Sequence, residues 1–239
     1  MINVTLIPVL DDNYAYLLEG ANGETAIVDP GEAAPVIQEL ERRNLRPDII
    51  FNTHHHGDHI AGNAELKRLY GAKLAAPAKE QSRIDGIDIE LAEGIPFSFG
   101  GEPVHILETP GHTRGGLCIY FPESKILFTG DTLFSMGCGR LFEGTPAQMW
   151  ESFGKITALP DETQIFCGHE YTLSNGEFCL RIEPDNPALQ RRMEEAQTLR
   201  DQGQPTLPVT LGTEKQTNAF LRAGSAEKFA ELRALKDRK

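Results

Sequence analysis

FNTHHHGDHIAGN, residues 51–63, holds four of the chain's seven histidines and one aspartate within six positions. His54 and His56 alternate, so both side chains can point to one side of an extended segment. Asp58 and His59 are neighbours at the start of the helix expected next, and they can reach a second point nearby. A single tetrahedral zinc ion does not need so many ligands from one loop, whereas two metal ions do. The segment therefore indicates a two-metal site.

Three more candidate ligands follow apolar, strand-like runs of the sequence. His112 follows VHILETPG, Asp131 follows KILFTG and His169 follows QIFCG, just as His54 follows DIIFNT. Layered folds often build sites at the ends of strands, where a rigid sheet holds the side chains and short loops display them. We therefore expect these side chains to join the histidine-rich loop at one site.

The alternative for each of these residues, taken alone, is an ordinary structural role. A single histidine after a strand is more often a surface or core residue than a ligand, and an aspartate in TGDT alone would make a turn or cap a helix. We assign the ordinary role to His55 and His105. The repetition of ligand-type residues after four strand-like runs argues against it for the others.

The rest of the chain indicates a mixed α/β or α+β layered fold. Short apolar, β-branched runs closed by Gly, Pro or Asn predict strands in the first two thirds, with helices in AAPVIQELERRN, IAGNAELKRLYG and PAQMWESFGKITALP. Gly71 is the predicted stop of the second helix. After about residue 172 the pattern is helical, with Asn186 and Pro187 beginning one helix and AEKFAELRALKDRK forming the last. We expect no strands in this C-terminal part.

The composition excludes several classes of partner. The 23 basic and 35 acidic residues give a net charge of −12, which repels phosphate backbones and anionic lipid surfaces. No segment reads as a signal peptide or reaches the roughly 18 uninterrupted apolar residues that span a bilayer. The four cysteines show neither CxxC pairing nor the density of a disulfide scaffold. We therefore expect a cytoplasmic protein with no nucleic-acid or membrane partner.

THHHGDH resembles the THxHxDH signature of the metallo-β-lactamase superfamily, and His112, Asp131 and His169 match its later ligand positions in order. TGDTLFSMGCGRLFEGT and CGHEYTLSN are similar to the glyoxalase II family, the hydroxyacylglutathione hydrolases. LPVTLGTEKQTNAFLR and LRALKDRK resemble that family's helical domain. The resemblance runs from DDNYAYLL to the end of the chain. It implies a four-layer αββα catalytic sandwich in residues 1–172 and a small helical substrate-binding domain in residues 173–239.

The resemblance also implies a role for each candidate ligand. One metal ion would be held by His54, His56 and His112, the other by Asp58, His59 and His169, and Asp131 would bridge them. Such ions lie about 3.5–4 Å apart and share a water whose pKa can fall to about 7. The catalytic set would be Asp58 and Asp131 with the metal-bridging hydroxide. Nitrogen and oxygen ligands suit zinc, the metal we expect, and also iron or manganese.

The family's substrate is the thioester S-D-lactoylglutathione, which is hydrolysed to D-lactate and glutathione in methylglyoxal detoxification. The resemblance implies that the hydroxide attacks the thioester carbonyl while one metal ion stabilises the oxyanion. The leaving thiolate is a weak base and should need little help from a general acid. Cys167, near His169, is expected to pack rather than to react. We expect a monomer acting on this small molecule.

Glutathione is anionic, so an acidic protein needs a local positive patch to bind it. Arg140, Arg233 and Lys236 match family positions that supply this patch, and Arg233 and Lys236 are spaced to share a helix face. Tyr171 matches a family tyrosine that contacts the glutathione backbone. Phe142 departs from members with tyrosine at that position. It can pack against the ligand but cannot donate a hydroxyl hydrogen bond.

Several alternatives stay open. Another thioester or lactone hydrolase of the superfamily would keep the metal site and use a different acyl carrier. A mononuclear iron sulfur dioxygenase would lack the helical appendage that carries Arg233 and Lys236, and a di-iron flavoprotein usually has Glu where this chain has His56. A metal-stabilised binding protein would keep no open position for water. Asp29 in VDPG could support the site or make a turn, and we expect the turn.

Overall fold

The apolar runs at the start of the chain form one mixed sheet in the computed structural model, which describes residues 1–238. Its strands follow the chain order: β1 (Asn3–Val9), β2 (Asn13–Glu19), β3 (Thr25–Val28), β4 (Ile49–Phe51), β5 (Lys73–Pro77) and β6 (Ile89–Leu91). Strands β1 to β3 pair antiparallel, whereas β3 to β6 pair parallel. Parallel neighbours need crossover connections. These connections contain α1 (Ala33–Arg43), α2 (Gly57–Ile60), α3 (Asn63–Tyr70) and a 3₁₀ turn (Ala78–Glu80).

Aliphatic side chains form the core beneath this sheet. Val36 and Leu40 of α1 and Leu66 of α3 belong to one buried cluster with Ile27 of β3 and Ile50 of β4. Burying a leucine or isoleucine side chain stabilises a fold by about 1.5–3 kcal/mol. The cluster thus holds rigidly the strands from which the histidine-rich loop and its neighbours leave.

The helix predicted in IAGNAELKRLYG begins later than expected. Helix α2 ends at Ile60 and α3 begins at Asn63. Between them, Gly62 N donates to Pro30 O at 2.8 Å, and a Cβ at Gly62 would lie 2.7 Å from that oxygen. Because no side chain fits there, the close approach requires glycine and separates the two helices. Gly71 ends α3 in the left-handed conformation, as predicted.

A three-stranded antiparallel meander completes the first compact unit, which comprises residues 1–108 and 115–124. Its strands are β7 (Phe97–Phe99), β8 (Glu102–Glu108) and β9 (Leu117–Phe121). Phe99 meets Phe51 of β4 edge to face, with 5.7 Å between ring centroids, and meets Phe121 at 6.2 Å. These aromatic contacts pack the meander against the first sheet.

The second compact unit contains residues 109–114 and the chain from residue 125 onward. Its strands are β10 (Ile126–Gly130), β11 (Leu133–Phe134), β12 (Gly137–Cys138), β13 (Gln164–Cys167) and β14 (Val209–Thr210). Its helices are α4 (Pro146–Thr157), α5 (Thr172–Ile182), α6 (Pro187–Asp201), α7 (Leu211–Thr217) and α8 (Ala226–Asp237). Strand β13 pairs parallel with β10, and β11 and β12 form a hairpin. This mixture confirms the predicted α/β class with C-terminal helices.

Helix α6 starts where the sequence predicts. The Asn186 side chain accepts hydrogen bonds from Ala188 N and Leu189 N, and Pro187 is the first helical residue. Thr145 caps α4 in the same way by accepting from Gln148 N, and the Gln148 side chain accepts in turn from Thr145 N. A cap of this kind stabilises a helix by about 1 kcal/mol.

The expectation of a C-terminal part without strands is wrong. Strand β14 pairs antiparallel with β13, with Val209 opposite Ile165 and Thr210 opposite Gln164. Two residues are too few to show the alternation by which strands are recognised. Their main chain pairs with the free edge of β13 instead of with the surrounding helices.

Within residues 1–238, no helix combines the length and the apolar composition that crossing a membrane requires.

Candidate metal centre

The segment that follows β4 carries the four candidate ligands of the first unit. His54 and His56 precede α2, and Asp58 and His59 lie in its single turn; we call residues 54–59 the histidine loop. His54 Nε2 lies 3.1 Å from His56 Nδ1, and His59 Nε2 lies 3.6 Å from Asp58 Oδ2. His54 and His59 are buried, whereas His56 and Asp58 are partly exposed. The histidine loop therefore presents two adjacent pairs of possible ligand atoms.

Asp29 supports this loop, so the expectation of a simple turn is wrong. Asp29 O does accept a bond from Gly31 N, as a turn would, but its buried carboxylate points to the histidine loop. Thr53 N donates to Oδ1 at 2.8 Å and Thr53 Oγ1 donates to Oδ2 at 2.6 Å, while His59 Nδ1 lies 3.0 Å from Oδ2. Asp29, His54 and His59 place possible ligand atoms within 4.8 Å of one another. Because Thr53 engages both carboxylate oxygens, Asp29 acts as an orienting group.

Hydrogen bonds select the tautomers of His54 and His59. Thr53 gives its single hydroxyl hydrogen to Asp29, so its oxygen accepts from His54 Nδ1 at 3.1 Å. A carboxylate also only accepts, so His59 carries a proton on Nδ1. In their neutral forms both rings then keep a lone pair on Nε2, which is how metal-binding histidines are prepared. By this criterion the histidine loop fits a divalent metal ion.

Asp58 is held by Asn13, a residue that the sequence did not single out. Asn13 Nδ2 donates to Asp58 Oδ2 at 2.9 Å and to Asp58 O at 3.2 Å. Asn13 is the first residue of β2 and is buried. The sequence signal that could have indicated it is an asparagine directly before the apolar YAYLL run, because an amide that becomes buried at a strand end needs hydrogen-bond partners.

His55 contacts the ring of His56, with 4.7 Å between ring centroids, but its own hydrogen-bonding partner lies outside the histidine loop. Its Nδ1 pairs with the carboxylate of Glu80, which is fully buried and whose Oε1 also accepts from Gly115 N at 3.0 Å. A buried carboxylate requires such partners, and the pair anchors the histidine loop to the 3₁₀ turn. His105 of β8 contacts the ring of Tyr120 in β9. Both histidines thus have structural contacts, in accord with the ordinary role assigned to them.

In the second unit, the three candidate ligands meet at one carboxylate oxygen. His112 Nε2 lies 3.2 Å and His169 Nε2 lies 3.4 Å from Asp131 Oδ2, and all three residues are buried. Asp131 follows β10 directly, and His169 follows β13, the parallel neighbour of β10. Because the carboxyl ends of parallel strands lie at the same sheet edge, these two side chains come together.

His112 is oriented like the histidines of the first unit. Its Nδ1 lies 2.8 Å from Arg140 O, which can only accept, so the neutral ring keeps its lone pair on Nε2 toward Asp131. A Cβ at Gly139 would lie 2.0 Å from Asp131 O, so glycine is required for the hairpin to approach this closely. Imidazole nitrogens and carboxylate oxygens together suit zinc, iron or manganese.

Cys167 has the environment of a packing residue. Burial raises the pKa of its thiol well above the usual range, and its Sγ donates to His169 O at 3.4 Å. Since the thiolate is the nucleophilic form, a raised pKa suppresses reactivity. Cys118, Cys138, Cys167 and Cys179 are all buried, and none of them forms a disulfide within residues 1–238.

Aromatic rings flank the histidines of the second unit. Tyr171 stacks on His169 with 4.6 Å between ring centroids and 8° between planes, and Phe134 meets both rings edge-on. Phe142 is 63 % exposed and its ring lies 5.2 Å from that of His112. Tyr171 and Phe142, both predicted substrate contacts, thus lie beside candidate metal ligands.

The three predicted basic contacts differ in exposure. Arg233 is only 4 % exposed, donates from Nη1 to Cys138 O at 2.9 Å, and lies over the ring of Phe220. Lys236, one turn later on α8, is partly buried and donates to Asn175 Oδ1. The Arg140 side chain is 68 % exposed. We call Arg140, Arg233 and Lys236 the basic patch.

Comparison with known proteins finds similarity over residues 9–239 of the chain. Residues 9–169 match the family model described as Metallo-beta-lactamase superfamily, and residues 170–239 match that described as Hydroxyacylglutathione hydrolase C-terminus. Curated hydroxyacylglutathione hydrolases from Methylococcus capsulatus and Rhizobium meliloti are 48 % and 47 % identical. The alignments cover 97 % and 95 % of this chain and 91 % and 94 % of those proteins. The crystal structure of BLEG-1 B3 metallo-beta-lactamase matches with a TM-score of 0.70 at 25 % identity, covering 92 % of this chain and 99 % of that one.

Proposed function

The chain belongs to the hydroxyacylglutathione hydrolase family of the metallo-β-lactamase superfamily, and from this we propose how its own residues carry out the family's reaction. The protein is a thioesterase that hydrolyses S-D-lactoylglutathione to D-lactate and glutathione in methylglyoxal detoxification. One observation carries the assignment of the site: two imidazole nitrogens lie 3.2 and 3.4 Å from the same oxygen of Asp131. A carboxylate placed between two histidines in this way is suited to bridge two metal ions.

We assign the ligands of two divalent metal ions by the family's pattern. His54, His56 and His112 would hold one ion, Asp58, His59 and His169 the other, and Asp131 would bridge them. Each unit supports this assignment separately. The histidine loop in the first unit and His112 beside Asp131 in the second unit both present imidazole nitrogens in the tautomer that binds metals. Zinc is the metal we expect, with iron and manganese as alternatives that the same ligands accept.

The protein's part in catalysis is to position the reacting groups. When bound, the two ions would provide hydroxide from water at neutral pH and Lewis-acid stabilisation of the negative charge that develops on the thioester oxygen. Asp58 and Asp131 are the proposed catalytic carboxylates, and Asn13 holds the first of them in place. Asp29 and Thr53 fix the rings that would face the ions.

The leaving group explains why no separate general acid is needed. The thiolate of glutathione is a much weaker base than an alkoxide or an amide anion, so the carbon–sulfur bond can break without proton transfer to sulfur. Cys167 cannot compete as a nucleophile because burial raises the pKa of its thiol.

The glutathione moiety is proposed to bind at the basic patch together with Tyr171 and Phe142. The cationic side chains of α8 would attract the carboxylates of glutathione. Tyr171 would offer its hydroxyl group to the ligand, whereas Phe142 has no hydroxyl group. In this scheme residues 1–172 form the catalytic domain and residues 173–239 the substrate-binding domain. We further propose a monomer in the cytoplasm, where cysteines outside disulfides, such as these four, stay reduced.

A panel of acyl thiols tests the proposal. The metal-reconstituted protein should hydrolyse S-D-lactoylglutathione far faster than the corresponding acyl-CoA, and the chelated apoprotein should be inactive until metal is restored. Equal rates with acyl-CoA and acyl-glutathione would instead favour another thioesterase of the superfamily. Oxygen consumption with glutathione persulfide would favour a sulfur dioxygenase.

A further inference from the structure

Asp237 lies between two cations of the basic patch. Its Oδ1 accepts from Arg233 Nη2 at 2.8 Å, and the same oxygen lies 3.8 Å from Arg140 Nε. Asp237 is the last residue of α8, and its side chain is 39 % exposed. A carboxylate of the chain therefore occupies arginines that are proposed to receive a carboxylate of the ligand.

Neither arginine depends strongly on Asp237 for its position. Arg233 is also held by its bond to Cys138 O and by the ring of Phe220. The contact between Arg140 and Asp237 is long, and Arg140 is mostly exposed, so this ion pair fixes little. The main effect of Asp237 on the basic patch is therefore its negative charge.

We propose that Asp237 is an internal counter-anion of the basic patch, which occupies the arginines in the ligand-free enzyme and weakens the binding of glutathione and its thioesters. The inference rests on the proposed function, because it takes the basic patch as the place where glutathione binds. Asp237 lowers the positive charge of that patch by one, so an approaching carboxylate is attracted less strongly. It also competes with that carboxylate for the guanidinium of Arg140.

The advantage of such a group follows from the reaction. Substrate and product share the glutathione moiety, so each contact at the basic patch retains both. Binding that is equally strong before and after the chemical step does not raise kcat, and tight product binding slows release. Asp237 would weaken both complexes by a similar factor, which makes it a determinant of affinity and not a catalytic residue.

Calorimetric titration of the metal-loaded, full-length protein with glutathione tests the inference directly, because it needs no turnover. In Asp237→Asn the Kd for glutathione should fall roughly three- to tenfold, and the KM for S-D-lactoylglutathione should fall with it. The Kd of the variant should also depend more steeply on salt, since one more net positive charge attracts the ligand. The kcat should stay constant or decline if product release limits turnover.

Two variants serve as controls. Asp237→Glu keeps the charge and should retain the wild-type Kd. Glu231→Gln removes the same charge from the same helix, but Glu231 pairs with Lys228 and not with the basic patch, so its Kd should also stay at the wild-type value. Asp237→Ser is a second neutral variant, should the asparagine variant prove unstable.

The outcomes separate this inference from the proposed function. An unchanged or higher Kd in the neutral Asp237 variants, or an equal fall in Glu231→Gln, would overturn the counter-anion role. A wild-type protein that binds glutathione but does not hydrolyse its thioester would overturn the proposed function alone. A wild-type protein that does not bind glutathione would overturn both.

Discussion

The histidine loop of the first unit and the basic patch of the second unit differ in how completely their side chains are held. Side chains of the loop are held by buried partners, with Asp29 and Thr53 orienting its histidines and Asn13 holding its aspartate. In the basic patch, Arg233 is buried and donates to Cys138 O, whereas Arg140 is largely exposed. The groups proposed for chemistry are therefore preorganised throughout, whereas the basic patch combines a fixed cation, Arg233, with one that can adapt to the thiol carrier, Arg140.

The largest effect in free-energy terms is expected in the second unit, at Glu214. This buried residue of α7 accepts bonds from Met136 N and Asn218 Nδ2, and so holds the β11–β12 hairpin that precedes Arg140. Burial raises the pKa of Glu214 from 4.5 to about 7. The folded state therefore keeps a proton that the unfolded state loses. Stability should fall by on the order of 3 kcal/mol as pH rises from about 4.5 to about 7, and then level off.

Replacing Glu214 by glutamine should remove this pH dependence of stability. The free energy of unfolding of the variant, relative to that of the wild type, should therefore be higher at pH 8 than at pH 5. Urea unfolding of both proteins across this pH range measures it, with the exposed Glu231→Gln as the matched control. Identical pH dependence in wild type and Glu214→Gln would show that the hairpin does not rest on a protonated carboxyl group.

A smaller effect is expected at the rigid side of the comparison. Asp29→Asn would present an amide hydrogen to His59 Nδ1 and disturb the tautomer that faces the metal. Losing an orienting carboxylate of this kind weakens metal binding by roughly 10–100-fold. Competition with a chelator measures the affinity, and Asp161→Asn, an exposed aspartate paired with Lys215, is the control. An unchanged metal affinity in Asp29→Asn would show that Asp29 does not preorganise the histidine loop.

The smallest effect on activity is expected at His55. Because its ring nitrogen pairs with Glu80 and is not one of the proposed ligands, His55→Ala should keep kcat/KM within about threefold of wild type and lower only thermal stability. His56→Ala, one position away, should lose at least about 100-fold. Similar losses in the two variants would contradict the division of the histidine loop.

The strand-end residues could be predicted from the sequence because each follows a recognisable apolar run. Asp131 and His169 needed only the rule that the carboxyl ends of parallel strands meet at a sheet edge, whereas His112 follows the antiparallel strand β8, to which the rule does not apply. The role of Asp29 could not be predicted. In the structure VDPG makes a turn and also buries the Asp29 carboxylate, but the same four residues would be expected if Asp29 made a turn alone. The contact between His55 and Glu80 joins residues far apart in the chain with no periodic signal between them.

The burial of Arg233 in the basic patch is the clearest feature that the sequence does not predict. Helical spacing places Arg233 and Lys236 on one face of α8, and such a face is usually exposed to solvent. The structure buries Arg233 with Phe229 and Leu232, and pairs it with Asp237. Burial of an arginine depends on what other parts of the chain offer it, here the carbonyl of Cys138 and the ring of Phe220, and helical spacing carries no information about them.

The central claim is that seven side chains hold two metal ions with Asp131 as the shared ligand. Its most direct test is the metal content of the purified protein and of Asp131→Asn, measured by mass spectrometry together with hydrolysis of S-D-lactoylglutathione. We expect two ions per wild-type chain, and in Asp131→Asn fewer than two ions with hydrolysis lost. A fully active wild type with one ion, or an Asp131→Asn variant that keeps two ions and its activity, would contradict the claim.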